Sequence, residues 1–272
     1  MNRRLLPLAA AAAALAFAVS GCSSPATSGT PSSQAADGLT LQEVKDSGVL
    51  TVGTEGTYKP FSYHEGGSGD LTGYDVEVVT AVADKLGVKP EFKETQWDGI
   101  FAGLKAGRFD VIANQVTIDA ERKKAYDFST PYTVSKGVVV TKADNTDISS
   151  FADLKGKTTA QSLTSNWKTL AEKSGATVQG VEGWAQSITL LKQGRVDATV
   201  NDKLTYLDYQ KSTPDPGIKV AAETKDTSEA ALAFPKGSED LVKAVDHALG
   251  ELQDDGTLAK ISDKYFGEDV SK

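Results

Sequence analysis

The chain has 272 residues, an ordinary globular composition and a net charge of −8 at neutral pH. That length suits one large or two modest domains, and an acidic balance with no basic patch interleaved with aromatics argues against a nucleic-acid partner. Cys22 is the only cysteine, so no intrachain disulfide can form.

Asn2-Arg3-Arg4 is a short positive segment, and Leu5 to Val19 is an apolar run shorter than the ~20 residues a membrane-spanning helix needs. Val19-Ser20-Gly21-Cys22 resembles a bacterial lipobox. Residues 1–21 are therefore expected to be a lipoprotein signal peptide and Cys22 the lipidated residue that anchors the protein to the cell membrane. Cleavage by ordinary signal peptidase, leaving a free thiol, is the alternative. After Cys22 the sequence is rich in Ser, Thr and Pro and has no large aliphatic residue up to Asp37, so residues 22–38 are expected to be a flexible tether.

Leu41 to Ser47 is predicted to be a short helix closed by Gly48, and Val49 to Gly53 a first strand that runs into the polar and aromatic segment Thr54 to Phe61. His64 to Asp70 is a turn that keeps His64 at the surface. Tyr74 to Leu86 carries Val76, Val79, Ala83 and Leu86 at helical spacing and stops at Gly87 and Pro90. A helix from Trp97 ends at Gly107 and leads into the apolar strand Phe109 to Ile112. Gly137 to Val140 is a strand, and Asp144 to Asp153 a polar turn region. Gly156 to Ala160 is a strand tipped by Gln161 to Asn166, followed by a helix, Trp167 to Lys173, stopped at Gly175. A helix from Trp184 ends at Gly194. Leu204 to Tyr209 begins another helix, and Ile218 to Ala222 is a strand. Ala230 to Phe234 is a strand crossing back, Leu241, Val245, Leu249 and Leu252 mark an amphipathic helix containing His247, and Gly256 to Gly267 is a closing helix. Such alternation predicts an α/β chain of two lobes, each a mixed sheet flanked by helices, joined by a two-strand hinge. Lobe one takes residues 39–134 plus 231–272, and lobe two residues 135–230.

One stretch organises this plan. After Phe109 to Ile112, the residues Asn114, Gln115 and Thr117 place hydrogen-bonding side chains where the strand is expected to end, the position at which open α/β sheets bind ligands. Asp119 is an expected N-cap, and Arg122, one turn into the next helix, is suited to grip a carboxylate with two parallel hydrogen bonds. The competing reading is that Glu121-Arg122-Lys123-Lys124 is a solvated helix face. A second copy favours the site. Trp97 to Asn114 (WDGIFAGLKAGRFDVIAN) and Trp184 to Asn201 (WAQSITLLKQGRVDATVN) align without gaps, with seven of 18 positions identical. Each unit is a helix ending at a glycine and running into a strand with a polar tip, Gln115 following one copy and Asp202 the other. Two such units suggest two lobes facing one cleft. A repeat that only builds a core would explain the Leu and Gly identities but not the polar strand ends.

The segments VGTEGTYKPFSYHE, LTGYDVEV, ETQWDGIFAGL, FDVIANQVTI, ERKKAYDFSTPYT, DLKGKTTAQSLTSN and DGTLAKISDKYFG resemble the amino-acid-binding group of bacterial ABC-importer solute-binding proteins, from about Leu50 to Phe266. Through ETQWDGIFAGL, ANQVTI, AQSLTSN and NDKLTYLDY the chain is most similar to L-cystine-binding members. The resemblance implies a type II periplasmic-binding-protein fold, a small amino-acid ligand, ABC permease subunits as partners, a monomeric receptor and no cofactor. It also implies site roles. Arg122, assisted by Thr117, would take the ligand α-carboxylate, with further donors from Thr164, Ser165 and Asn166 at the start of a helix. Asp202 would take the α-ammonium, with carbonyls of Asn114 or Gln115 beside it. Tyr58 and Trp97 would sandwich the side chain, and Glu55 and Gln161 would face its distal part. Tyr58 and Trp97 as core aromatics, and Asp202 as an N-cap for the helix from Leu204, are the competing readings. Other polar amino acids, such as cysteine, glutamine or a basic one, are alternative ligands. Extracytoplasmic cyclohexadienyl dehydratases resemble this fold, so an enzyme is the rival class; Glu55 is the only carboxylate available as its general acid. A receptor's sensor module is a third option, disfavoured because no transmembrane helix or signalling domain is expected after Lys272. The sequence offers no metal-ligand cluster and no Ser/His/Asp nucleophile arrangement.

Overall fold

The computed structural model describes residues 38–272. The expected signal peptide, the lipidation at Cys22 and nearly all of the tether lie outside the described residues. Helix α1 (Leu41–Ser47) opens with a reciprocal cap: the Glu43 N–H donates to Thr40 Oγ1 and the Thr40 N–H to the Glu43 carboxylate, which satisfies two otherwise unpaired donors. There follow β1 (Val49–Thr54), the short strands β2 (Thr57–Tyr58), β3 (Ser62–His64) and β4 (Leu71–Thr72), α2 (Tyr74–Leu86), β5 (Lys89–Glu94), α3 (Trp97–Lys105), β6 (Val111–Thr117), α4 (Ala120–Ala125), β7 (Tyr126–Phe128) and β8 (Thr133–Ser135). The second stretch holds β9 (Gly137–Lys142), β10 (Thr158–Gln161), α5 (Asn166–Lys173), β11 (Thr177–Gly180), α6 (Gly183–Lys192), β12 (Thr199–Asp202), α7 (Lys203–Ser212) and β13 (Ile218–Glu223). Then β14 (Ser228–Pro235), α8 (Glu239–Asp254) and α9 (Thr257–Phe266) complete the chain.

The first sheet has the order β5-β1-β6-β14-β7, parallel from β5 to β6 and antiparallel at β14, with β8 pairing β14 farther along. Helices α2, α8 and α9 cover one face over Leu50, Val52, Val79, Val82, Leu232 and Leu241, and α3 covers the other with Trp97, Ile100 and Leu104 on Phe109 and Ile112. Strand β5 escaped the sequence reading because Pro90 interrupts it and much of it is exposed; both features fit its place at the edge of the sheet.

The second lobe joins antiparallel β12-β9-β13 to parallel β10-β11 through a bridge between Thr159 and Ala198. Val138, Val139 and Val140 of β9 are all fully buried, Val138 and Val140 against the α6 side and Val139 against the α5 side. An uninterrupted apolar run is what a strand covered on both faces requires. Two antiparallel crossings connect the sheets: β8 pairs β14 at Ser135–Ser228, and β9 pairs β13 at Val138–Glu223. They are stitched together by mutual hydrogen bonds between Gly137 and Thr224. No described helix is long and apolar enough to cross a membrane.

Candidate functional site

Strand β6 continues through Asn114, Gln115 and Thr117 rather than ending before them. Asn114 is fully buried. Its Oδ1 accepts from Thr54 Oγ1 (3.0 Å) and from the Glu55 N–H (2.9 Å), and its Nδ2 donates to Glu55 Oε2 at 2.6 Å. Gln115 adopts a left-handed backbone with φ 51°, which costs an L-residue roughly 1–2 kcal/mol. Asp75 fixes it there: the Gln115 N–H donates to Oδ2 at 2.8 Å and Nε2 to Oδ1 at 2.6 Å. The Gln115 side chain is thereby held inside the first lobe. Burial pushes the Asp75 carboxyl up to about 7.

Asp119 caps α4 by accepting from the Arg122 N–H at 2.8 Å. The Arg122 side chain is only 10% exposed, with Nε 3.6 Å from Asp119 and Nη1 donating to the Thr117 carbonyl at 2.9 Å. Its guanidinium lies 5.5 Å from the Trp97 ring and 5.1 Å from that of Phe101, within cation–π range. The solvated-face reading therefore holds for exposed Glu121, Lys123 and Lys124 but not for Arg122.

A cavity of about 130 Å³ lies between the lobes. The first lobe lines it with Glu55, Tyr58, Trp97, Asn114 and Gln115. The second contributes Gln161, Ser165, Asn166, Trp184 and Asn201. Both ends of both sequence repeats, Trp97 with Asn114 and Trp184 with Asn201, thus meet in one hollow. Ser165 caps α5 by accepting from the Lys168 N–H at 3.1 Å. Trp97 Nε1, Gln161 Nε2 and Trp184 Nε1 are buried and have no hydrogen-bond partner. Glu55 is pushed up to about 7 by burial, which outweighs the opposing Asn114 amide, while the charges of Glu182 and Asp98 add to the rise.

Four of the expected residues stand outside this lining. Thr117 instead borders a wider groove of about 710 Å³ along the β13–β14 connection, with Trp167 shared between the two hollows, and its hydroxyl meets Ser228 Oγ at 3.2 Å. Arg122 stands behind Trp97. Asp202 follows the lining residue Asn201; its Oδ1 accepts from the Leu204 N–H (2.8 Å), capping α7, and from Ser135 Oγ (2.7 Å). Burial pushes its carboxyl up to about 6. Thr164 directs its N–H (2.9 Å) and hydroxyl (2.7 Å) to Asp98 Oδ1, and the Leu163 N–H reaches Asp98 Oδ2 at 3.2 Å.

Asp98 went unnoticed in the sequence, and Trp184, seen there as the repeat partner of Trp97, was not placed among the expected site residues. Asp98 in the first turn of α3 reads as a complement to the helix dipole. Trp184 carried a usable signal, its repeat relation to Trp97. Among the described residues no group of three or more His, Cys, Asp or Glu is placed to hold a metal.

Residues 50–268 match the family described as bacterial extracellular solute-binding proteins, family 3. The chain belongs to this family. Among curated relatives of this solute-binding protein, the L-cystine-binding protein TcyA of Bacillus subtilis (strain 168) is 57% identical over 238 residues, covering 88% of each chain. The L-cystine solute receptor of Neisseria gonorrhoeae, in its unliganded open conformation, is 50% identical, covers 85% of this chain and 99% of its own, and superposes with a TM-score of 0.59. An ancestral arginine-binding protein bound to arginine is 40% identical, covers 81% and 99%, and superposes better, at 0.75. Of these two structures the more identical one, which is in an open conformation, superposes less well.

The lobes of this solute-binding protein are shut upon each other. Besides the Asp98 bonds, Tyr58 Oη donates to Asn201 Oδ1 at 3.2 Å and accepts from Thr205 Oγ1 at 3.1 Å. Exposed Asp98 makes charge-assisted bonds to the Leu163–Thr164 loop, which are stronger than neutral ones. Asp98→Ala is expected to release the Leu163–Thr164 loop, speed ligand dissociation and weaken binding about tenfold, equivalent to about 1.4 kcal/mol. Stopped-flow dissociation rates check this, and an unchanged off-rate contradicts it.

Proposed function

We propose that this protein is the ligand-capturing component of an ABC amino-acid importer, taking L-cystine between its closing lobes and presenting it to a membrane permease while tethered through lipidated Cys22. The observation that carries the reading is the cavity built from both lobes, aromatic on its walls and polar at the strand ends. Such a hollow suits a small polar ligand held by a few placed groups. Arg122, with the Thr117 carbonyl already on its guanidinium, is the carboxylate partner in this reading, and buried Asp202 is the ammonium partner. Both charges of a zwitterion need such partners once water is removed. Thr164, Ser165 and Asn166 supply further donors once Asp98 shares or yields the Thr164 bonds. Contacts to both lobes exist only in the shut form, so the ligand draws the population towards closure. Cystine is favoured by the names of the relatives at 57% and 50% identity.

A second reading has one observation behind it. A buried carboxyl raised to about 7, as at Glu55, is what a general acid in a dehydratase needs. The bond it accepts from the Asn114 amide, which anchors it to the strand, favours a binding role. A thermal-shift panel of amino acids with a prephenate turnover assay tests both. L-Cystine is expected to raise the melting temperature most, because a tight ligand stabilises the folded state by mass action, and prephenate is expected to remain unconverted. No shift with any amino acid, or turnover abolished by Glu55→Gln, overturns the proposal.

A further inference from the structure

We propose that Ser135 is a positioning residue for ligand capture: its hydroxyl ties Asp202, at the end of β12 in the second sheet, to the one strand of the first sheet that also holds Gln115, and so sets how the two polar strand ends face each other. The inference rests on the reading of Asp202 as the ammonium partner and deepens it by naming what holds that carboxylate in place.

The repeat makes the arrangement specific. Gln115 follows Asn114 in one unit and Asp202 follows Asn201 in the other, so the two occupy equivalent places on β6 and β12. Each is held by a hydroxyl of β8. Gln115 Nε2 donates to Thr133 Oγ1 at 3.1 Å, and Ser135 Oγ donates to Asp202 Oδ1 at 2.7 Å. Side chains two residues apart share a face of a strand, so both hydroxyls stand on one side of β8. The backbone of β8 is itself fixed, with Thr133 opposite Ala230 and Ser135 opposite Ser228 of β14. Thr133, Gln115 and Asp202 are all buried, so water does not readily replace these bonds. The Ser135 bond is the one that passes between the sheets, because β8 ends at Ser135 and β9 begins at Gly137. Two equivalent strand ends thus share one bar, and their spacing follows from the separation of Thr133 and Ser135 along it.

The same hydroxyl shapes the chemistry of the carboxylate. Asp202 Oδ1 accepts from Ser135 and from the Leu204 N–H at 2.8 Å. Among the described residues nothing donates to Oδ2, and no Lys, Arg or His pairs with the group, so Oδ2 is left for a cationic guest. Donors to a carboxylate favour its ionised form. Burial raises Asp202 to about 6, and the Ser135 hydroxyl, ahead of the Leu204 N–H, is the largest influence in the opposite direction. The other titratable groups facing Asp202 are Asp75 of α2 and the Tyr58 phenol of β2, and Lys203 beside it pairs with Glu223 at 2.7 Å. Neither Asp75 nor Tyr58 is a cation, so neither replaces Ser135 in keeping Asp202 charged.

The test follows L-cystine binding to the mature protein by calorimetry, together with the ligand-induced rise in melting temperature from about pH 5 to about pH 8. Ser135→Ala is expected to weaken binding about tenfold, the effect of losing one hydrogen bond to a charged group. It is also expected to move the pH at which the ligand-induced gain is half lost upward by about one unit. Ser135→Thr, which keeps the hydroxyl, is expected to hold both near wild type. Thr133→Val, whose lost hydroxyl meets Gln115 and not Asp202, is expected to weaken binding without moving that pH. In an Asp202→Asn background Ser135→Ala is expected to cost little more, as two residues acting through one contact do. Ligand-free melting reports whether each variant folds, and Ser135→Cys, a weaker donor of similar size, carries the same expectations if the alanine variant does not. Wild-type affinity with an unmoved pH midpoint in Ser135→Ala, or an equal loss with and without the Asp202 carboxylate, overturns the positioning role and leaves amino-acid binding standing. Failure of L-cystine to bind the wild type, or wild-type affinity in Asp202→Asn, overturns the underlying reading and this proposal with it.

Discussion

Replacing Arg122 with Ala is expected to weaken ligand binding by roughly 2–5 kcal/mol, as removing one partner of a buried charge pair does. An arginine has five N–H donors. In the ligand-free protein Nη1 is committed to the Thr117 carbonyl and Nε faces Asp119, which leaves donors on the guanidinium for a carboxylate. The rings of Trp97 and Phe101 hold the planar group in place, so little side-chain freedom is lost when the ligand arrives. Burial also lowers the pKa of Arg122 below its ordinary value, a sign that the cation stands in a poorly hydrated place and gains from an anion. Arg122→Lys is expected to lose most of the affinity too, because an ammonium neither stacks nor bonds in a planar fork. Calorimetry measures the loss, and the ligand-free melting temperature separates it from simple destabilisation. Near-wild-type affinity in Arg122→Ala removes Arg122 from the site.

The course of the chain was largely legible because its helices announce themselves. The stripe on α2, the cap at Asp119 and the glycines that close α1 and α3 each follow from local chemistry that tertiary packing does not reverse. What escaped was set by distance in the sequence. Strands β7, β8 and β11 are three or four residues long; β7 and β8 exist because the eight-residue β14 pairs with them, and β11 because the equally short β10 does. Asn114, Gln115 and Thr117 were correctly seen as a polar group after an apolar run. Nothing local reveals that Asp75, far upstream, seizes the Gln115 side chain, or that Asp98 reaches across to Thr164. The repeat was the strongest nonlocal signal in the sequence, and its two tryptophans and two asparagines line a single cavity.

Acid is expected to affect the free and ligand-bound protein in opposite senses. Burial raises Glu55 and Asp75 to about 7 and Asp202 to about 6, from ordinary values of 4.5 for Glu and 3.8 for Asp. Between the ordinary and the raised values the folded chain holds more protons than the unfolded chain, so stability falls as pH rises through that window. His64, raised chiefly by Glu94, acts in the same direction. The carboxylates held low, such as Asp127 and Asp215 beside their lysines, act in the opposite sense but only below the ordinary carboxylate range. A tenfold difference in proton affinity is worth about 1.4 kcal/mol, so the three buried carboxyls dominate. The ligand-free protein should therefore melt at a higher temperature near pH 5 than near pH 8. Capture of an ammonium requires Asp202 ionised, so the stabilisation gained from saturating ligand should shrink as pH falls through about 6. Scanning fluorimetry across this range, with and without ligand, reads both slopes. Asp202→Asn should flatten the acid dependence of the ligand-induced gain while lowering the gain at neutral pH, because the amide carries no charge for either protonation or the ammonium to neutralise. A ligand-free melting temperature that climbs from about pH 5 to about pH 7 reverses the sign of the argument. The buried carboxyls would then be ionised and paired in the folded chain, and the electrostatic case for an incoming cation would be lost.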